Sequence, residues 1–317
     1  MSFWRNQKFR GWLYQAAAVL LIVVVVAMLA HNTLLNMQVR GIQSGFGFLT
    51  QPAGFDISES LFGYEPSQPY WQAFLTGLGN TLRVAVIGIF LTTLLGTLLG
   101  VGRFSANALI RGICLTYVEI IRNIPLLLQL LLWYLLCVEW LPDAMTAEPF
   151  FGMYLTKGGL AIPWFGDLPE KSGFGINGGL HISPEFLALL LGLTLYTASY
   201  IAEIVRLGIA SVPRGQREAA LSLGLSRAQT MRLVLLPQAL RVIIPPLTNQ
   251  YLNLTKNSSL AVAVGYPELI SIANTSINQT GRAVECIAVV MAVYLTLSLL
   301  TSFLMSIYNR HAAIKER

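Results

Sequence analysis

The sequence predicts an all-α, polytopic membrane protein of six transmembrane helices, and three observations carry that reading. Of the 317 residues, 55% are hydrophobic and 11% charged, which leaves too few polar side chains for a solvated surface. Apolar runs of roughly 20 residues, enough to cross a hydrocarbon core, recur along the chain. The basic residues gather in short segments beside those runs, so the formal net charge of +6 reads as topology and not as nucleic-acid binding.

The first run, Trp12 to Ala30, follows Arg5, Lys8 and Arg10. It begins like a secretory signal but has the length of a full span, and no small-residue cleavage site follows, so a retained anchor helix is expected. Five more spans are expected at 75–101, 113–138, 186–206, 237–256 and 283–307. Arg103 and Arg111, the segment from Arg206 to Arg232, and Arg310, Lys315 and Arg317 mark inside segments, which places both termini in the cytosol. Residues 31–74 carry Asp56, Glu59 and Glu65, and residues 139–185 carry Glu139, Asp143, Glu148, Asp167 and Glu170 among many Gly, Pro and aromatics. Both read as outer loops. Trp71, Trp133, Trp140 and Trp164 fall near the outer boundary, where an amphipathic ring is comfortable. Gly96 and Gly100 form a small-xxx-small pair that lets another helix approach closely.

Several chemistries are unsupported. Cys114, Cys137 and Cys286 are an odd number lying in or beside spans, which argues against a disulfide framework. His31, His181 and His311 are too scattered for a zinc site, so no metal is expected. No Ser, His and Asp arrangement suggests hydrolysis, and no P-loop sequence is present to cradle a nucleotide phosphate. No catalytic residue is therefore assigned.

The inner connection at 207–236 is the most specific segment. Two short helices fit it: one from about Gln216 to Leu223 with Gly224 just past its end, and one starting at Ser226, which has capping-box spacing to Gln229. Ala219 and Ala220 beside Leu221 and Leu223 give a compact apolar ridge, with Arg214, Arg217 and Arg227 around it. Glu218-Ala219-Ala220, Gly224 three residues after Leu221, and Leu236-Pro237 resemble the EAA loop of ABC importer permeases. Glu119 to Gln129, Tyr200 to Arg206 and Lys256 to Glu268 extend the resemblance over about 76–310, with a likeness to polar amino-acid permeases of the general L-amino-acid type. That resemblance implies a five-helix type I importer core preceded by one extra helix. The chain then divides into an anchor helix and outer loop at 1–70 and a permease domain at 71–317. It also implies that Gln216, Glu218, Ala219, Ala220, Leu221, Gly224, Ser226 and Pro237 serve coupling to an ATP-binding subunit.

Polar residues inside spans are costly and usually face protein or a wet cavity. Asn249, Asn253 and Asn257 recur every four residues with Gln250 alongside, making one polar stripe. Pro245 and Pro246 are expected to kink or break that helix and free carbonyls. Amides and hydroxyls suit a zwitterion, with Asn257, Ser258 and Ser259 as the foremost contacts; glue between helices is the competing reading. Glu119 and Arg122 have i, i+3 spacing and are expected to pair, with Arg122 alternatively meeting a substrate carboxylate. Gln129 lies near the same face, and Pro125 perturbs the helix between them. Glu203 and Arg206 repeat the pairing beside the inner loop, while Tyr196 and Tyr200 lie along the expected pathway. Lys256 and Arg83, near span ends, are expected to snorkel.

The resemblance further implies a bacterial inner-membrane location and alternating access to an L-amino acid. Its partners are a second homologous permease, two copies of an ATP-binding subunit that hold ATP and Mg, a periplasmic amino-acid-binding protein and the lipid bilayer. Two other readings compete. One is an ion-coupled secondary carrier, which the polar stripe also suits, and the other is a scaffold half of a hetero-permease that does not touch substrate.

Overall fold

A computed structural model describes residues 7–39, 41, 44–61, 63–173 and 175–312; Arg5, Lys315 and Arg317 lie outside them, as does the side chain of Arg310. Among the described residues, five helical stretches are long and apolar enough to cross a membrane: Arg10–Val39, Tyr70–Gly102, Pro184–Ala210, Arg227–Val264 and Ala283–Ile307. A sharply bent pair, Ala108–Asn123 with Leu126–Trp140, makes a sixth when counted as one span. Helix α1 (Gln7–Val39) leaves its apolar side chains exposed from Trp12 to Leu35, as a helix surrounded by lipid would.

The centre of the bundle is the contact of α2 (Tyr70–Gly102) with α5 (Pro184–Ala210). Gly96 and Gly100 create it. A Cβ on Gly96 would lie 2.7 Å from Ile201 Cβ, and one on Gly100 2.7 Å from both the Ala202 carbonyl oxygen and Val205 Cβ. The small-xxx-small pair thus serves packing within the chain, where missing side chains let two backbones meet. Helix α8 (Leu236–Asn257) joins this core through Ala239 and Ile243 against Ile201, Val205 and Ile209. It runs through Pro245 and Pro246 without ending, so of the expected kink or break the break does not occur. The change comes later, at a 3₁₀ turn over Ser258–Val264 that stops at Gly265, whose φ of 80° is left-handed.

The third expected span is where the chain departs most from a straight rod. Helices α3 (Ala108–Asn123) and α4 (Leu126–Leu135, continued by a wider π-type turn to Trp140) are inclined by 103°. Pro125 cannot donate and biases Ile124 away from helix. Gln129, 3% exposed, spans the joint by donating from Nε2 to the carbonyls of Ile121 and Ile124, both at 2.9 Å.

The two connections expected on the outer side are folded. A 3₁₀ turn at Phe46–Thr50 and the segment after it bury Phe48, Ala53, Ile57 and Tyr64 against Tyr70, Ala73 and Phe74 of α2. Leu269, Ile272 and Ala273 of α9 (Leu269–Thr280) and Cys286 of α10 (Ala283–Ala312) complete that cluster. Packing is therefore continuous across the expected boundary at residue 70. Arg83, expected to snorkel, instead bonds Glu59 at 2.7 Å and lies over the Phe186 ring at 4.2 Å. Between α4 and α5 the chain forms five short antiparallel strands. One sheet orders β1 (Tyr154–Thr156), β2 (Gly159–Ile162) and β5 (Leu180–Ile182); β3 (Glu170–Ser172) and β4 (Gly175–Asn177) form a separate hairpin. The three cysteines are buried and free.

Candidate functional site

In the connection between α5 and α8, expected on the inner side, helix α6 (Arg214–Ser222) follows Pro213, whose fixed φ suits the residue before a first turn. Its stop is complete: Gly224, at φ 86°, donates to the Leu221 carbonyl at 3.0 Å, and Leu225 donates to the Ala220 carbonyl at 3.1 Å. This is the Schellman pattern, and it satisfies carbonyls that would otherwise be open. Ser226 then caps α7 (Arg227–Gln229) reciprocally, its Oγ accepting from Gln229 N at 3.3 Å while Gln229 Oε1 accepts from Ser226 N at 2.9 Å. A wide π-type turn over Thr230–Leu235 leads into α8 just ahead of Pro237, whose ring would crowd the carbonyl four residues back in a regular helix. The expected ridge divides in two. Gln216, Glu218, Ala219 and Leu223 are outward, Leu223 at 83% exposed, whereas Ala220 is turned into the protein at 3% because it seats the helix.

Behind α6, two helices are clamped by one carboxylate. Glu203 accepts from Arg206 Nη2 at 2.5 Å and from its Nε at 3.1 and 3.2 Å, and it also pairs with Arg103 at the end of α2. The i, i+3 pair was legible in sequence. Arg103 was not, since nothing local links residue 103 to residue 203.

Toward mid-bundle, the structure brings Arg122, Tyr196 and Tyr200 together. The Arg122 guanidinium lies 5.0 Å from the Tyr200 ring centroid, and the Tyr196 and Tyr200 hydroxyls are 3.1 Å apart. The expected Glu119–Arg122 pair does not form among the described residues: both side chains are exposed, and Arg122, one residue before the bend, turns toward α5. Gln129, expected along the pathway, commits both its amide hydrogens to the bend. On α8, Asn249 and Asn253 are exposed and Gln250 and Asn257 half-buried. Ser258 is wholly buried and donates to the Thr255 carbonyl at 2.7 Å, which removes it from any open surface; Ser259 stays half-buried.

One hub escaped sequence reasoning. Glu268, in the connection after the span that ends at Val264, caps α9 by accepting from Ile270 N at 2.8 Å and Ser271 N at 3.0 Å. Its other oxygen accepts from Thr81 Oγ1 at 3.4 Å and Tyr294 OH at 3.1 Å, tying α2, α9 and α10 together. Burial pushes this carboxyl up to about 7, outweighing those hydrogen bonds, which favour the charged form. A carboxyl raised in this way stabilises the fold fully below the ordinary carboxyl range and loses that contribution as pH rises toward 7, by about 1.4 kcal/mol for each step of one in pH. The melting temperature of the purified protein is therefore expected to fall between pH 5 and pH 7.5, and the Glu268→Gln variant to flatten that slope. Equal slopes in the two proteins would refute it.

Apolar spans, a capped helix presented between α5 and α8 and polar groups gathered at mid-bundle fit the membrane component of a transport system. Residues 92–313 match the family described as binding-protein-dependent transport system inner membrane component, and the chain belongs to that family. It is 40% identical to the general L-amino acid transport system permease protein AapQ of Rhizobium johnstonii, over 98% of this chain and 94% of that protein. It is 36% identical to the glutamate/glutamine/aspartate/asparagine transport system permease protein BztB of Rhodobacter capsulatus, over 98% and 96%. Among solved structures, an amino acid ABC transporter crystallised with histidines matches at 29% identity with a TM-score of 0.57, covering 76% of this chain and 95% of that one.

Proposed function

We propose that this chain is one permease of an ATP-driven importer of L-amino acids in a bacterial inner membrane. A second homologous permease, two copies of an ATP-binding subunit and a soluble amino-acid-binding protein on the outer side complete the assembly. ATP and Mg belong to the ATP-binding subunits, and this chain contributes no catalytic group. The observation that carries the reading is the inner loop: a short helix stopped by Gly224 and followed by a second capped at Ser226, with Glu218, Ala219 and Leu223 presented outward. Such a helix costs little to hold rigid and can pass on a displacement instead of absorbing it.

Movement of α6 reaches the bundle by two routes. Through Pro213 it enters α5, which Glu203 and Arg103 hold to α2; through the π-type turn it enters α8. Helix α5 carries Tyr196 and Tyr200 opposite Arg122, and α8 carries Asn249, Asn253 and Asn257. A guanidinium suits a substrate carboxylate, and amide and phenol oxygens suit its ammonium. A neutral Asn257 places no fixed charge there, which supports a broad substrate range.

The test is uptake of labelled neutral, acidic and basic amino acids by the reconstituted complex. Uptake is expected to require ATP and to survive collapse of proton and sodium gradients. Asn257→Asp is expected to shift preference toward basic substrates by about tenfold, from an added carboxylate near the ammonium. Uptake that follows an ion gradient without ATP overturns the importer reading, and an unchanged preference moves the selective contact to the other permease.

A further inference from the structure

Two turns of the β insertion depart from backbone preference in the same way. Phe151-Gly152 is closed by Phe150 and Met153, whose backbones exchange hydrogen bonds at 2.8 and 3.0 Å; Phe165-Gly166 is closed by Trp164 and Asp167, at 2.9 and 2.8 Å. Both central residues have positive φ in each turn, 50° and 75° in the first and 43° and 91° in the second. That two-residue turn prefers Asn or Asp before Gly, and a bulky aromatic in the first place is strained. Neither phenylalanine gains burial in return. Phe151 is 85% exposed and Phe165 94%, each with an edge-on neighbour, Phe150 or Trp164, at ring-centroid distances of 4.6 and 4.9 Å. Beyond that one edge-on contact, a strained turn that holds an apolar ring open to solvent gains little within this chain, and each ring offers an apolar surface to a partner.

Strand register shows where the tips lie. A Cβ on Gly159 would strike the Ile182 carbonyl, so the Thr156–Gly159 end of the sheet abuts the start of α5. The opposite end holds Tyr154, Ile162 and Leu180; the first turn immediately precedes Tyr154 and the second follows Ile162. Both tips therefore leave the sheet at the end away from the membrane-spanning helix. The insertion carries Asp143, Glu148, Asp167 and Glu170 against Lys157 and Lys171, an acidic setting unfavourable for insertion among lipid headgroups and complementary to a basic protein surface.

We propose that Phe151 and Phe165 are docking tips for the soluble amino-acid-binding protein, entering apolar clefts rimmed by basic side chains on its surface. The assignment rests on the importer reading. It gives the insertion a mechanical purpose as well, because it is anchored at both ends on α4 and α5, the helices that hold Gln129 and the two tyrosines.

The test uses the Phe151→Asn, Phe165→Asn double variant, which gives each turn its preferred Asn-Gly and so preserves the fold. In proteoliposomes holding the complete complex, the concentration of cognate binding protein needed for half-maximal uptake is expected to rise at least about tenfold. The maximal rate and the ATPase activity without binding protein are expected to stay unchanged. An unchanged half-saturation overturns the docking assignment and leaves the importer reading standing, whereas wild-type uptake that ignores the binding protein removes the importer reading itself. Quenching by brominated lipid of a thiol-reactive fluorophore placed by Phe165→Cys, in the absence of binding protein, would place the tips in the bilayer and also overturn the assignment; the three native cysteines are buried.

Discussion

Arginine in place of Glu218 is expected to reduce ATP-driven uptake by the reconstituted complex at least about a hundredfold, because under the proposed role of α6 it reverses a charge at a docking contact, which costs several kcal/mol. Glu218 is the only carboxylate between residues 207 and 236, where Arg214, Arg217, Arg227 and Arg232 supply the cations. Reversal makes the whole presented surface basic. Helix α6 itself should be unharmed, since arginine is as good a helix former as glutamate and Glu218 is exposed. Two measurements separate the causes. Yield and melting temperature of the variant should match wild type, while co-purification of the ATP-binding subunit should be lost. A variant that retains both the subunit and transport would show that α6 does not carry the coupling.

Leucine at Gly100 is expected to lower the yield of folded, membrane-inserted protein by tenfold or more. A Cβ there already falls 2.7 Å from the Ala202 carbonyl oxygen, and backbone cannot swing aside as a side-chain tip can. Overpacking a well-filled site costs roughly 1–3 kcal/mol, and here the remedy is to push α2 from α5 along the central contact of the bundle. Gly112 on α3 is the matched control: no atom lies within 4 Å of its hypothetical Cβ, so Gly112→Leu should express normally. Equal loss in both variants, read by detergent-extracted yield and gel filtration, would mean that close α2–α5 approach is not what Gly100 secures.

Much of this architecture was readable from local sequence because its determinants are local. The stop at Gly224 and the start at Ser226 with Gln229 depend on residues within one turn, and the structure realises both. Span positions follow from apolar run length. What escaped depends on distant partners. Glu119 and Arg122 have the spacing to pair, but Tyr200 lies 78 residues beyond Arg122 and offers its ring instead. Arg83 finds Glu59, and Glu268 finds Thr81 and Tyr294, through tertiary contacts that no window displays. The β insertion has strands of only three or four residues, too short for alternation to register. Pro125 announced a disturbance, but nothing local encodes its 103° size.

The joint between α3 and α4 also bears on where water can go. A chain that turns inside hydrocarbon normally draws in solvent to satisfy the carbonyls it exposes. Here Gln129 reaches back and meets two of them from within the same chain. Leu126 and Leu130 can then close an apolar seal with Leu189 and Leu193 around it. On α8, by contrast, Asn249 and Asn253 stand exposed, so polar groups are open there while the joint is closed by the chain's own amide and leucines.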